Sequence, residues 1–420
     1  MDFVNRDREL RALDAAARRG GLVVVYGRRR VGKTRLLRRW LDGRGGLYSQ
    51  AIEAQPGQQL RQAAEDLRPP GAGEVVPATF EALLELLTLR GKRWTLCLDE
   101  FPWLVASDPT LPSRLQRWLD HSLPPGCVLV LSGSSTRMMN DLFLNRAAPL
   151  FGRASLLLQV QPMDYAAFCA ACGLPPGDPA SFERFSCVGG IPRYWEFVDP
   201  ARDAADLAED IFFGFAPLLD EEPRRVLRDE GVAGLNALAI LEAVGRGAER
   251  PSDIASRLGT PQTGLSRLLR SLLDASVLSR ELPFGESVRS TRKSLFRIQD
   301  PALRFWFRVF SPHRSRWSSY GREERRLLVH GHAATVFEDH CRTLHPGGAR
   351  YWGRGLEIDL VAPDPGDRKG ILVAEVKWRR VGAAERRELL AGLAAKWERC
   401  PLRERHPRVR FEVLDEGVLG

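Results

Sequence analysis

The chain has 420 residues, 44% of them hydrophobic and 27% charged, which is enough to bury several cores and predicts two to four domains. Its formal net charge of +9 and pI of about 9.5 point to a polyanionic partner, nucleic acid first among them. No apolar run approaches the roughly 18 residues of a membrane helix, and the charged start MDFVNRDREL does not read as a signal peptide, so a cytoplasmic protein with no membrane partner is expected.

Seven scattered cysteines, an odd number, make no disulfide framework and fit a reducing compartment. The basic residues are overwhelmingly arginine. There are six lysines, at 33, 92, 293, 369, 377 and 396, and two of them fall inside motifs.

The first third alternates short β-rich runs (22–27, 46–51, 94–99, 127–133 and 154–160) with helical stretches, which predicts a parallel sheet covered by helices. PPGAG (69–73) and PPGDP (175–179) read as loops. After the first run comes GRRRVGKT, residues 27–34, opening the helical TRLLRRWL and fitting G-x-x-x-x-G-K-[ST]. In such a loop the main-chain N–H groups of Gly27, Arg28, Arg29, Arg30, Val31 and Gly32 wrap a phosphate. Lys33 reaches the outer phosphates, Thr34 holds Mg²⁺, and Arg35 follows at the helix start.

WTLCLDE supplies the acidic partner strand. Asp99 is expected in the Mg²⁺ shell, with Glu100 orienting or deprotonating the attacking water. CVLVLSGSS then ends a strand in Ser132, Ser134 and Ser135, and Ser134 is placed to sense the terminal phosphate. Arg153 in LFGR and Arg137 in SSTRMM are the candidates for neutralising transition-state charge.

FVNRDREL, VVVYGRRRVGKTRLL, TLCLDEFPWL, VLSGSSTRMM, PLFGR and GGIPRYW, in that order, resemble the archaeal-type ATPases of the AAA+/STAND group over residues 1 to about 310. The resemblance implies ATP as cofactor and ATP hydrolysis as activity. It also implies that Val4 to Leu10 lies near the adenine and that Gly190, Ile191 and Pro192, in a helical lid, approach the base.

From Leu235 to Arg308, LNALAILEAV, PSDIASRLG and TPQTGLSRLLRSLLDASVL predict three helices, the third capped by Thr260 with Pro261 at its first position. A basic hairpin follows, completing a winged helix-turn-helix. Leu265, Leu268, Leu269 and Leu272 share one face of the third helix, leaving Gln262, Thr263, Ser266, Arg267 and Arg270 toward solvent. Those side chains suit a DNA major groove, with Arg289, Arg292 and Lys293 of the wing against phosphates. The rival role is an intramolecular lid.

In the last hundred residues the apolar run ILVAEVKW puts Val373, Glu375 and Lys377 on one side of a strand, and LEIDLVA does the same with Glu357 and Asp359. A glutamate and a lysine in a core strand cost free energy unless paired or bound to something. An acid, then fifteen residues on an E-x-K, resembles the PD-(D/E)xK restriction-endonuclease-like fold, with Ile358 standing where the motif has proline. That resemblance implies Mg²⁺ or Mn²⁺ held by Asp359 and Glu375, with Glu338 from an upstream helix and Lys377 generating the hydroxide. The alternative is a purely structural Glu375–Lys377 pair. This region also resembles the C-terminal domain commonly fused to the same ATPase class.

Two smaller signals read as structural: the histidines at 330, 332, 340 and 345 with Cys341 lack zinc-finger spacing, and Cys169 and Cys172 form a C-x-x-C with no partner pair. The expected organisation is a P-loop ATPase domain at 1–165, a helical lid at 166–234, a winged helix at 235–312 and an α/β restriction-endonuclease-like domain at 313–420. The function expected is a DNA-associated ATPase with a metal-dependent nuclease domain. The alternative is a regulatory nucleotide switch with an inert terminal domain, and oligomeric state stays open.

Overall fold

The computed structural model describes residues 3–68, 75–89, 93–232, 234–289, 293–353 and 355–419; the loop expected at 69–73 and the wing residue Arg292 lie outside them. A strand that is apolar on both faces must be covered on both. Strand β1 (Gly21–Tyr26) meets that condition between β4 (Val128–Gly133) and β5 (Ala154–Gln159). With β2 (Leu47–Gln50) and β3 (Thr95–Asp99) they form a parallel five-stranded sheet in the order β2-β3-β4-β1-β5. Alternation divides β1 between two cores. Val23 and Val25 pack with Leu36 and Leu37, whereas Leu22, Val24 and Tyr26 pack with Leu129 and Leu131.

Beyond the sheet lie short helices, three of them opened by aspartate caps. Asp164, Asp178 and Asp203 accept from the main-chain N–H groups of Ala167, Ala180 and Asp206. Three further helices (Leu235–Gly245, Pro251–Leu258 and Gln262–Asp274) precede an antiparallel hairpin of β6 (Leu278–Glu281) and β7 (Leu295–Ile298). The third helix starts one residue later than expected. Pro261 is its extended cap residue, and the Thr260 N–H donates to Ala255 O at 3.1 Å. A proline has no N–H to lose there. Leu265, Leu269 and Leu272 are buried, and Gln262, Thr263, Ser266, Arg267 and Arg270 are exposed.

The last region runs helix (Arg322–Leu344), β8 (Ala349–Gly353), β9 (Leu356–Pro363), β10 (Ile371–Val376), helix (Ala383–Glu398) and β11 (Val409–Leu414). The sheet order is β11-β10-β9-β8, with β9 antiparallel to both neighbours and β11 parallel to β10. Helix Arg322–Leu344 docks on helix Pro179–Val188, so this region shares a core with the N-terminal part of the chain. Phe182, Phe337 and Trp378 form the seam, with ring centroids 4.8–5.5 Å apart. Beside it the fully buried His332 places Nε2 2.9 Å from Ser186 O, and burial pushes its pKa down to about 3. No helix among the described residues is long and apolar enough to cross a membrane.

Candidate nucleotide site and a second lysine–carboxylate cluster

The loop from Gly27 to Thr34 leaves β1 and enters the helix Lys33–Asp42, at the end of the sheet where β3 delivers Asp99 and β4 delivers Ser132 to Gly133. Only glycine fits at 27: a Cβ there would lie 2.4 Å from Val160 O, and its φ is +151°. Gly32 takes the left-handed conformation and turns the chain into the helix.

Lys33 is buried and donates to Gly27 O at 2.8 Å, Arg28 O at 3.0 Å and Ser134 Oγ at 2.9 Å. Burial pushes its pKa down, against the pull of Glu100 and Asp99. Thr34 Oγ1 donates to Asp99 Oδ2 at 2.7 Å, and Tyr48 from β2 donates to the same oxygen at 2.8 Å. Glu100 sits at φ +55°, an uncommon conformation for a non-glycine residue, and from there its carboxylate accepts from both the N–H and the hydroxyl of Ser134. The Glu100 N–H donates to Asp99 Oδ1 at 3.0 Å, which joins Lys33, Thr34, Asp99, Glu100 and Ser134 into one hydrogen-bonded group. A hydroxyl and a carboxylate this close are the hard oxygen donors that suit Mg²⁺.

The loop arginines point away from the loop, each to an acid far along the chain. Arg28, buried, pairs with Asp300 at 2.7 Å, Arg29 with Asp229 at 3.1 Å and Arg30 with Glu222 at 2.9 Å. Val31 is buried, and its carbonyl accepts from Arg6 at 2.9 Å; Arg6 also donates to Gln161 O at 3.0 Å. Arg35 is exposed on the helix.

Beside Gly27 lies a cavity of about 250 Å³, lined among others by Thr136, Gln159, Gln161, Gly190 and Gln299. Thr136 Oγ1 is buried there with no partner among the described residues. Gly190 belongs to this wall because its Cα backs onto Met163 O, 2.1 Å from where a Cβ would stand. Pro192, expected at the base, instead starts the helix Pro192–Trp195 and does not line the cavity.

Arg137 donates to Gly231 O at 2.9 Å. Arg153 is gripped by Asp120 at 2.9 and 3.0 Å and by Pro149 O at 2.9 Å, so none of its partners belongs to the phosphate loop. Sequence reasoning missed Tyr48, whose register two residues before Gln50, the neighbour of Asp99, was the available signal.

The second cluster joins β9, β10 and the helix Ala383–Glu398. Glu375 accepts from Lys377 Nζ at 2.8 Å and from Lys396 Nζ at 3.0 Å. Burial opposes its ionisation, but the two ammoniums hold its pKa below the usual carboxylate range. Asp359 Oδ2 accepts the Val376 N–H at 2.9 Å, and burial, with Glu375 nearby, raises its pKa. Glu338 is drawn elsewhere, to within 3.8 Å of Arg297 and 4.0 Å of Arg342.

The expected metal set of Glu338, Asp359 and Glu375 is therefore not assembled. Among the described residues no three His, Cys, Asp or Glu side chains converge to hold a metal ion, at this site or around His330 to His345. The physical reason is charge: both Glu375 oxygens are occupied by ammoniums. Lys396 was the unforeseen member, brought in by helix packing.

Residues 3–197 match the profile of an ATPase domain found predominantly in Archaea, and residues 306–389 match a family of archaeal and bacterial proteins of unknown function. The protein is an ATP-hydrolysing enzyme. An uncharacterised protein of Methanocaldococcus jannaschii is 28% identical over 413 residues, covering 90% of this chain and 88% of the relative. A Walker-type ATPase of Pyrococcus abyssi superposes with a TM-score of 0.55 at 20% identity, over 73% of this chain and 97% of the other. The ORC2 protein of Aeropyrum pernix gives 0.48 at 13% identity, over 80% and 96%. The ATPase from Pyrococcus shares its fold with this chain.

Proposed function

We propose that the ATPase works on nucleic acid: hydrolysis at the phosphate loop is coupled to a DNA-holding surface built by residues 235–298 and by the C-terminal domain. The observation that carries the nucleotide half is the single hydrogen-bonded group of Lys33, Thr34, Asp99, Glu100 and Ser134. Lys33, freed from its two carbonyl partners, binds the outer phosphates. Thr34 and Asp99 would hold Mg²⁺, which when bound neutralises charge growing on the phosphate oxygens. Glu100 orients the attacking water and takes its proton, and Ser134 reads the terminal phosphate through the same hydroxyl that Lys33 and Glu100 share. The cavity beside Gly27 and Gly190 accommodates the base.

The nucleic-acid half rests on the net charge of +9 and on the exposed polar face of helix Gln262–Asp274, which we read as the recognition helix of a winged helix, with Arg289 on its wing. The helix-strand-strand-strand-helix-strand order of the C-terminal domain supports a restriction-endonuclease-like fold. Its cluster suits holding a phosphodiester through Lys377 and Lys396; with Glu375 neutralised, we assign it no cleavage.

The test is ATP hydrolysis with and without duplex DNA. Stimulation that vanishes in Lys33→Ala, with no cleavage of plasmid in Mn²⁺, is the expected result. Hydrolysis indifferent to DNA, or cutting lost in Asp359→Ala, overturns the respective half. A slow regulatory switch is the second reading. It is favoured by the ion pairs from Arg28, Arg29 and Arg30 to distant elements, and ATP altering DNA affinity without DNA-stimulated turnover would select it.

A further inference from the structure

The helix Glu222–Asp229 lies against the phosphate loop and is tied to it at both ends. Glu222 accepts from Arg30 at 2.9 Å, and Asp229 accepts from Arg29 at 3.1 Å. Glu222 also accepts from the Tyr194 hydroxyl and, at 3.1 Å, from Arg225. Glu230, the next residue, differs from both. It is 2% exposed, yet among the described residues it forms no ion pair. Its carboxylate accepts from the main-chain N–H of Arg137 at 3.1 Å and lies 3.4 Å from the Ser135 hydroxyl. Burial pushes its pKa up, against the N–H groups of Arg137 and Thr136 and the charge of Arg28, which is itself committed to Asp300 at 2.7 Å.

Capping does not account for this carboxylate. The helix Thr136–Phe143 already has Ser135 as its cap, accepting from the Met138 N–H. A buried carboxylate without a cation costs free energy that a neutral side chain of the same size would not. Its position is the more telling fact. Ser135 directly follows Ser134, whose hydroxyl accepts from Lys33 at 2.9 Å. Burial lowers the pKa of Lys33, and the charges of Glu100, Asp99 and Glu230 pull it back. Glu230 therefore stands beside the place where a terminal phosphate meets Lys33 and Ser134. ATP differs from ADP by that phosphate alone. A fixed negative charge at its edge opposes ATP and leaves ADP nearly untouched, because like charges repel strongly in a partly desolvated site.

We propose that Glu230 is a specificity-determining residue of the nucleotide site, whose carboxylate disfavours the triphosphate relative to the diphosphate. The inference rests on reading Lys33 and Ser134 as the groups that meet the terminal phosphate.

The test uses the full chain with Mg²⁺ and a fluorescent ADP, displaced either by ADP or by a non-hydrolysable ATP analogue, so that affinity is read apart from turnover. Glu230→Gln, whose amide oxygen still accepts from Arg137, is expected to tighten the analogue about ten-fold while ADP changes by less than about two-fold. Glu230→Asp keeps the charge and retains the wild-type ratio of the two affinities. Glu230→Ala removes the charge without burying an amide and matches Glu230→Gln, so the result does not depend on the folding of one variant. A ratio equal in the wild type and the two neutral variants overturns the proposal. So does equal weakening of both nucleotides, the outcome that a purely structural carboxylate predicts. An ADP affinity that survives Lys33→Ala overturns the phosphate-loop reading and this inference together, whereas the Glu230 outcomes bear on this inference alone.

Discussion

In the nucleotide half Lys33 donates to two main-chain carbonyls and a serine, which leaves the Asp99 carboxylate to the hydroxyls of Thr34 and Tyr48. In the C-terminal domain Lys377 and Lys396 both donate to Glu375. The residue types are alike and the electrostatic outcome is opposite. Separating the ammonium from the carboxylate keeps an oxygen site fit for a hard cation, whereas closing the pair neutralises the acid. A lysine and two acids in a sequence therefore specify a metal site only once it is known which of them touch.

Three changes probe that contrast. Glu100→Gln is expected to lower kcat for ATP hydrolysis by about 10²–10⁴ while ATP binding persists, because the amide retains a contact to Ser134 but cannot accept a proton. Phosphate release and nucleotide titration measure the two effects, and a loss of less than about three-fold in kcat, far below what general-base removal costs, would move the base elsewhere.

The link between the two regions is the next target. His332 is neutral when folded, with a pKa of about 3, against 6.5 when unfolded. Above 6.5 both states are neutral; below it the unfolded chain binds a proton that the folded chain refuses. Stability is therefore lost as pH falls from about 6.5 toward 3, by at most about 1.4 kcal/mol per pH unit. Denaturant unfolding across that window should show a shallower dependence in His332→Gln, and an unchanged slope would place the acid sensitivity elsewhere.

The smallest change sharpens the comparison directly. Lys396→Met removes one of the two cations on Glu375 and should raise Mn²⁺ affinity at the C-terminal cluster by about ten-fold, after discounting for solvent screening of a partly exposed ammonium. Mn²⁺-dependent melting shifts with ADP and Mg²⁺ already bound would report it. Equal shifts in variant and wild type would show that Glu375 is not held shut by Lys396.

How legible each half was depends on how local its signals are. The phosphate loop is spelled by consecutive residues whose backbone demands, such as glycine at 27, are strict, and β1 declares itself by an unbroken run of Val and Leu. The solvent face of helix Gln262–Asp274 could be read from its leucine spacing. The partners of Arg28, Arg29 and Arg30 could not, because Asp300, Asp229 and Glu222 lie about 200 or more positions away and no periodicity connects them. Lys396 escaped for the same reason. Its helix position is set by tertiary packing, and strand alternation identified Lys377 alone as the neighbour of Glu375.

The ion pairs of Arg28, Arg29 and Arg30 also bear on how far the chain can be taken apart. Expressed without the helices and strands C-terminal to it, the sheet domain would keep three guanidiniums whose counter-charges had been cut away, one of them interred beneath Asp300. Desolvated charge left without its mate is among the costliest defects a protein can carry. The engine and its appendages are therefore poor candidates for dissection, and experiments on the isolated catalytic piece would report on a molecule with a different loop.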